Sequence, residues 1–222
     1  MERECVSDLL DRQLAFYQRA AARYDEKGAP DQLVREVLGR LRGSVDLSGD
    51  VLEIACGAGQ WTARFAELSR FVTALDAAPA MLELARRRLP GSAADRVEFV
   101  HADVFRWRPE RSYGAVFFAF WLSHVPPPRF VPFWELVATC LAPGGHVAFV
   151  DTGPGEAAFE DDLDAGTGVP TARRLLSDGS EHRVVKVLRD PDELTRSLAD
   201  LGWAAQIEPL GQTFFVGWAQ RL

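Results

Sequence analysis

The sequence has few cysteines, no long hydrophobic run and no signal-peptide core. Its three cysteines, Cys5, Cys56 and Cys140, are odd in number and widely spaced, which indicates a reducing compartment without a disulfide framework. No apolar run is long enough to cross a bilayer, and the N-terminus is charged where a signal peptide would be apolar. We therefore expect a cytoplasmic protein with no membrane partner.

The chain also has no excess of positive charge. Its formal net charge is −7, and a nucleic-acid footprint normally needs a basic face, so we expect no nucleic-acid partner. There are no internal repeats, and the 222 residues fit one α/β domain over residues 1–222. Strand and helix patterns alternate along the chain, which predicts a mostly parallel sheet with helices on both faces.

A glycine-rich turn follows the first predicted strand, residues 51–54. Gly57 and Gly59 allow a tight turn and the close approach of a ligand, and a strand end beside a helix start is a ligand site in such sheets. A dinucleotide fingerprint would need a third glycine where Thr62 stands. Glu53 would repel a pyrophosphate but attract an amine, so the pattern favours S-adenosylmethionine (SAM), which carries an ammonium group and a sulfonium.

Acidic residues follow at the ends of the next predicted strands. Asp76 ends the second strand, roughly 20 residues past the glycines, where a carboxylate accepts hydrogen bonds from ribose hydroxyls. Asp103 follows the third strand and is placed to accept from an adenine amino group. Met81 lies in the first turn of the helix between them.

These motifs, in this order, resemble the class I SAM-dependent methyltransferases over nearly the whole chain. The first family motif, acid-x-Gly-x-Gly-x-Gly, reads here as Glu53-x-Ala55-x-Gly57-x-Gly59. The resemblance implies SAM as cofactor, no metal, and a Rossmann-like α/β fold with a seven-stranded, mostly parallel sheet. The cofactor-binding residues that it implies are Tyr17, Glu53, Ala55, Cys56, Gly57, Gly59, Trp61, Asp76, Ala77, Met81, Asp103, Val104, Phe118 and Ala119.

We expect an N-terminal helical lid over residues 1–45. Apolar and aromatic side chains in residues 8–24 form one stripe of a helix, so Tyr17 and Tyr24 share a face. Both tyrosines could simply pack on the core. In related methyltransferases, however, a segment ending in Tyr-Asp closes over SAM, which implies a catalytic and substrate-binding role for Tyr24 and a cofactor contact for Tyr17.

A second addition is expected over residues 153–188. Asp178-Gly179 between extended runs is a strong hairpin signal, and this β-hairpin follows the fifth predicted strand, so it can cap the ligand edge of the sheet. The acidic stretch 156–164 lacks a definite metal-ligand spacing, which favours a solvated, mobile loop. The hairpin's basic residues are Arg173, Arg174, Arg183 and Lys186.

His124 is the main catalytic candidate. It follows the fourth predicted strand at the carboxyl edge of the sheet, and an ordinary histidine pKa lies near neutrality, which suits a general base. The alternative is a structural histidine that hydrogen-bonds the proline turn at residues 126–128.

Several blocks are similar to the phosphonate O-methyltransferase group of dehydrophos biosynthesis. They are residues 115–126, Arg129-Phe130, Phe133-Trp134, Arg173-Arg174-x-Leu176-x-Asp178-Gly179 and Arg183-Val184-Val185-Lys186-Val187. This similarity implies that Arg173 or Arg174, together with Lys186, holds an anionic acceptor near the sulfonium. Where the group pattern implies a pocket tyrosine, this chain has Asp31, a substrate-binding candidate whose carboxylate would disfavour a phosphonate.

The leading interpretation is a SAM-dependent O-methyltransferase that acts on an acidic or hydroxyl group of a small molecule in specialised metabolism. An ionised acid needs no base, whereas a hydroxyl acceptor would need His124 to take its proton. C- or N-methylation, base-assisted cyclisation of a SAM-derived adduct, and a non-enzymatic SAM-binding role stay open. So does the choice between a monomer and a homodimer.

Overall fold

The computed structural model describes residues 6–24, 31–164, 166 and 168–222, with the side chains of residues 22–24 left out. Its helices are α1 (Val6–Tyr24), α2 (Asp31–Leu41), α3 (Gln60–Leu68), α4 (Pro79–Arg88), α5 (Pro127–Cys140) and α6 (Pro191–Asp200). Its strands are β1 (Asp50–Ile54), β2 (Phe71–Asp76), β3 (Val97–His101), β4 (Tyr113–Ala119), β5 (Leu141–Thr152), β6 (Thr171–Leu175), β7 (Glu181–Val185), β8 (Trp203–Leu210) and β9 (Phe214–Arg221).

Seven strands form one sheet in the order β3-β2-β1-β4-β5-β9-β8. The pairs among β1 to β5 are parallel, and β9 is antiparallel to both β5 and β8. This confirms the predicted Rossmann-like fold. The strand order reverses between β1 and β4, and ligands in such sheets bind at the carboxyl ends of the strands beside that switch.

Both faces of the sheet are covered by helices, because the central strands are apolar on both sides. On one face Phe118 and Phe149 pack with Trp134 of α5 and with α6. On the other face Phe117 packs with Phe65 of α3 and with α2. Alternate residues of each central strand therefore belong to opposite cores, which is why these strands read as nearly continuous apolar runs.

The predicted boundary between α5 and β5 was wrong. The sequence predicts a helix over residues 129–142 and a strand from His146, but α5 ends at Cys140 and β5 begins at Leu141. Leu141 pairs with Tyr113, and the ladder resumes at His146 after a register shift. The glycines within this interval let the strand bulge and rejoin the sheet, so it starts earlier than its apolar pattern indicates.

The predicted hairpin is present. β6 and β7 form a separate antiparallel pair, and Gly179 lies in their turn with a φ of 81°. Asp190 caps the start of α6, because its Oδ1 accepts from the backbone N–H groups of Asp192 and Glu193. Among the described helices, none combines the length and the apolar character that a membrane span needs.

Candidate active site

The turn between β1 and α3 is held in an unusual backbone conformation. Ala55, Gly57 and Gly59 all have positive φ angles, of 54°, 53° and 75°. A Cβ at Gly59 would lie 2.6 Å from the Cβ of Ala85 in α4, so only glycine fits there. Ala55 carries some strain, because the left-handed region favours glycine, and it stands where the family motif has its first glycine.

Asp76 at the end of β2 ties this turn to the next helix. Its Oδ2 accepts from the backbone N–H of Gly57 at 2.9 Å, and its Oδ1 accepts from that of Ala78 at 2.8 Å. Burial raises the pKa of Asp76, while these backbone donors lower it. Asp76 as a residue is half-buried and lines the adjoining cavity.

A cavity of about 520 Å³ lies at the carboxyl ends of β1, β2 and β4, within the size range of small-molecule sites. The structure brings most of the predicted site residues together around it: Tyr17, Ala55, Cys56, Gly57, Trp61, Asp76, Ala77, Met81, Asp103, Val104, Ala119 and His124. Their direct contact with a cofactor stays a prediction.

Much of the apolar wall of this cavity was not predicted from the sequence. Phe120 and Trp121 follow β4 directly. They could have been predicted in the same way as His124, from their position at the carboxyl end of that strand. Leu33 of α2 and Phe214 of β9 gave no local signal, because only the tertiary fold brings them to the edge. The rings of Phe120 and Phe214 meet edge to face at 5.6 Å.

Three of the predicted cofactor residues, Glu53, Gly59 and Phe118, lie behind the cavity lining. Glu53 is only 2% exposed, and its Oε2 accepts from Thr62 Oγ1 at 2.6 Å. Burial raises the pKa of Glu53 to about 8, so its carboxyl group is largely protonated at neutral pH. Glu53 therefore supports the turn and α3, and a contact with the cofactor ammonium stays a prediction.

Helix α1 covers the cavity and is fastened on two sides. The Gln13 side-chain oxygen accepts from the backbone N–H of Val185 in β7, and that of Gln18 accepts from the N–H of Ala80 in α4. Arg19 adds an ion pair to Asp178 in the hairpin turn. The side chain of Tyr24 lies outside the described residues, so its catalytic and substrate-binding roles stay predictions.

His124 lies under the hairpin with both ring nitrogens engaged. Its Nδ1 is 2.7 Å from the carbonyl oxygen of Val185, and its Nε2 is 2.9 Å from the hydroxyl of Tyr17. A carbonyl only accepts, so we assign the proton to Nδ1, which leaves Nε2 to accept from the Tyr17 hydroxyl. The alternative bond to the proline turn is not among its contacts.

The expected near-neutral pKa of His124 is wrong. Burial, together with the nearby charge of Lys186, lowers its pKa to about 3. The imidazole is therefore neutral at physiological pH. The sequence places the histidine correctly, but it does not reveal that the hairpin would bury the ring.

Two hairpin cations converge on one buried carboxylate, that of Glu160. Arg174 Nη1 lies 2.6 Å from Glu160 Oε2, and Lys186 Nζ lies 3.0 Å from Oε1. Lys186 also donates to Thr152 Oγ1 at 3.0 Å. The side chains of Glu160 and Lys186 are only 4% and 6% exposed. We call the space between Arg174, Lys186 and Thr152 the anion seat.

Three acids of the stretch that was expected to be a solvated, mobile loop form ion pairs with the hairpin, and the mobility of the stretch stays a prediction. Asp161 pairs with Arg173 at 2.8 Å, and Asp162 pairs with Arg183. With Glu160, three consecutive acids thus hold hairpin cations. Residues 153–188 contain arginines as well as acids, which could have suggested ion pairs within this segment, but the sequence could not fix the pairing.

Two of the predicted substrate-binding residues lie elsewhere. Arg173 faces the surface, where it binds Asp161 and Glu181. Asp31 is largely exposed at the start of α2, with Oδ1 3.5 Å from Arg64 Nη2. Neither belongs to the cavity lining or the anion seat. The structure thus separates Arg174 and Lys186 from the other two candidates.

The chain matches a family model described as "Methyltransferase domain" over residues 51–145, which run from β1 into β5. It is 30% identical to a "Ubiquinone biosynthesis O-methyltransferase" of Xanthomonas axonopodis pv. citri (strain 306), over 77% of this chain and 68% of that one. It is 32% identical to a "Demethylmenaquinone methyltransferase" of Clavibacter sepedonicus, but spans only 56% of that protein's length.

The solved structures give a fuller match. A "DhpI-SAM-HEP complex" superposes with a TM-score of 0.85 at 40% identity, over 98% of this chain and 100% of that one. A "DhpI-SAH complex structure" gives 0.82 at 39% identity, over 98% of each. These matches confirm the resemblance predicted from the sequence, including the dehydrophos-like group, and they support SAM as the cofactor.

Replacing Asp76 by Ala should weaken cofactor binding at least about tenfold, because two backbone N–H groups of the site lose a charged acceptor. Titration calorimetry with S-adenosylhomocysteine measures this. Asp50→Ala is the matched control, since Asp50 pairs with Arg70 outside the cavity lining. Equal affinities for the wild type and Asp76→Ala would contradict the role given to Asp76.

Glu53→Gln should flatten the pH dependence of stability. The pKa of Glu53 is about 8 in the fold and ordinarily 4.5, so in that interval the folded state binds more protons. The free energy of unfolding therefore falls as pH rises from about 4.5 to about 8. An amide is neutral throughout and removes this contribution.

Urea unfolding of both proteins at several pH values checks this expectation. Glu98→Gln serves as the control, because Glu98 forms a half-exposed pair with Arg111. Parallel profiles for the wild type and Glu53→Gln would show that Glu53 is ionised in the fold.

Proposed function

We propose that this chain, which belongs to the SAM-dependent methyltransferases, methylates an ionised acidic oxygen of a small molecule in natural-product metabolism. The observation that carries the proposal is the anion seat, where Arg174 and Lys186 already hold a buried carboxylate. A phosphonate or a carboxylate is the acceptor chemistry that this pair of cations recognises.

The seat is near enough to the cavity to orient an acceptor there. Lys186 follows Val185, whose carbonyl binds the His124 ring, and His124 lines the cavity. The charges of Lys186, Arg174 and Glu160 all act on the pKa of His124. An acceptor anchored at the seat would thus lie beside the ring and point toward the cavity.

The residues around the cavity fit SAM. Asp76, Asp103 and Val104 all line the cavity, which supports assigning the Asp76 carboxylate to the ribose hydroxyls and Asp103 with Val104 to the adenine. The positive-φ turn at residues 55–59 lets the methionine end approach the backbone closely. When bound, SAM supplies a methyl group that its sulfonium has already activated for in-line displacement.

The chain's own contribution is alignment and exclusion of water. Arg174 and Lys186 would fix the acceptor oxygen, while α1, Phe120 and Phe214 close the apolar side. Holding two reactants in line is worth several kcal/mol of barrier. Tyr17 and His124 form a neutral hydrogen-bonded pair that shapes the boundary between the cofactor and the acceptor.

The state of His124 favours an ionised acceptor over a neutral hydroxyl. A general base works best when its pKa is near the working pH, whereas the pKa of His124 is lowered to about 3. Its Nε2 also already accepts from Tyr17. An acid that is ionised beforehand does not need this base, so we assign His124 a positioning role.

A panel of acceptors tests the proposed function. The purified protein is incubated with SAM and with phosphonic acids, carboxylic acids, phenols and amines, and methylated products are found by mass spectrometry. We expect products from the acids. Products from phenols or amines alone would contradict the proposal, and tight SAM binding without any product would favour a non-enzymatic protein.

Lys186→Met should raise the acceptor KM at least about tenfold, because a charged hydrogen bond to the acceptor is lost. The dissociation constant for S-adenosylhomocysteine should stay unchanged. Arg183→Met is the matched control, since Arg183 pairs with Asp162 outside the seat. An unchanged KM in Lys186→Met would show that the acceptor binds elsewhere.

A further inference from the structure

Glu160 occupies the place that the proposed function gives to the acceptor. We propose that Glu160 is a displaceable occupant of the anion seat. An acceptor must displace the Glu160 carboxylate to bind, and Glu160 returns to the seat after methyl transfer. Glu160 therefore sets the affinity that an acceptor needs in order to bind. This inference rests on the proposed function of the same site, and it adds the residue that limits how tightly any anion is retained.

The anion seat requires a negatively charged group as counter-charge, whether or not an acceptor is bound. Lys186 is only 6% exposed, and both it and Arg174 direct their charges at Glu160. Leaving a buried cation such as Lys186 without a counter-charge is strongly unfavourable. Asp151 accepts from the backbone N–H groups of Ser123 and Thr152 instead. The charges of Lys186 and Arg174 also act on Glu156, but among the ion pairs of the described residues Glu160 is the carboxylate that contacts both cations.

The chain around Glu160 permits its displacement. Glu160 follows Phe159, a residue that is 75% exposed, so the segment before Glu160 has little apolar packing to lose. After it, the segment is fastened independently by Asp161 and Asp162 to Arg173 and Arg183. A rotation of the Glu160 side chain and the adjoining turn can therefore empty the seat while the rest of the hairpin cap stays in place.

The charge of the ligand decides the competition. The attraction between an anion and two cations grows with the charge of the anion, so a phosphonate dianion displaces Glu160 more readily than a monoanion does. On transfer, the acceptor oxygen forms a bond to the methyl carbon as the carbon–sulfur bond breaks and its electron pair stays on sulfur. The phosphonate monoester keeps one negative charge, so Glu160 competes with it better and favours its release.

Glu160→Gln tests this directly. Titration calorimetry with S-adenosylhomocysteine present measures binding of methylphosphonate, as its dianion, and of monomethyl methylphosphonate. Because a competitor lowers all affinities alike, Glu160→Gln should bind both ligands about tenfold more tightly. Product inhibition by the monoester should strengthen by the same factor in turnover assays.

Controls separate this role from a structural one. Asp162→Asn breaks a neighbouring pair of the same segment and should leave both affinities unchanged. Glu160→Asp keeps the charge on a shorter side chain and should give an intermediate gain, which covers the case in which Glu160→Gln fails to fold. Unchanged or weaker binding in the folded Glu160 variants would overturn the inference.

The binding titration needs no turnover, so it can contradict the role of Glu160 without contradicting the proposed function, and the reverse. Tighter anion binding in Glu160→Gln without methylation of any acid would overturn the proposed function and leave Glu160 as the occupant of an anion site. Methylation of acids with no change of affinity in the variant would keep the function and overturn the role of Glu160.

Discussion

The buried contact of Arg174 and Lys186 with one carboxylate is the interaction on which the acceptor side depends. It joins the hairpin to the acidic segment through Glu160 and to the end of β5 through Thr152. The same hairpin binds the His124 ring through the Val185 carbonyl. Because a buried cation such as Lys186 requires a counter-charge, this contact ties the cap to the edge of the sheet, and in the proposed function the same two cations hold the anionic acceptor.

The cofactor side is built on a different principle. There the strand order sets the site: it reverses between the parallel strands β1 and β4, and the positive-φ turn and Asp76 lie at that edge. Backbone geometry thus shapes the cofactor side, whereas side-chain charge shapes the acceptor side. The hydrogen-bonded Tyr17–His124 pair lies between these two sides of the site.

The sequence predicted the features that local patterns encode. Apolar strands ending in an acid, a glycine turn and an Asp-Gly hairpin lie close together in the chain, so the sheet, its cofactor edge and the hairpin were found. What it missed depends on distant partners. Phe214 reaches the cavity only through the pairing of β9, the partner of Glu160 is set by the folded hairpin, and the low pKa of His124 follows from burial under that hairpin.

A crystal structure with S-adenosylhomocysteine and methylphosphonate bound would test the central claim most directly. The account predicts the phosphonate oxygens within hydrogen-bond distance of Arg174 and Lys186, with the Glu160 carboxylate turned out of the seat. A phosphonate bound elsewhere, with Glu160 still paired to both cations, would contradict it.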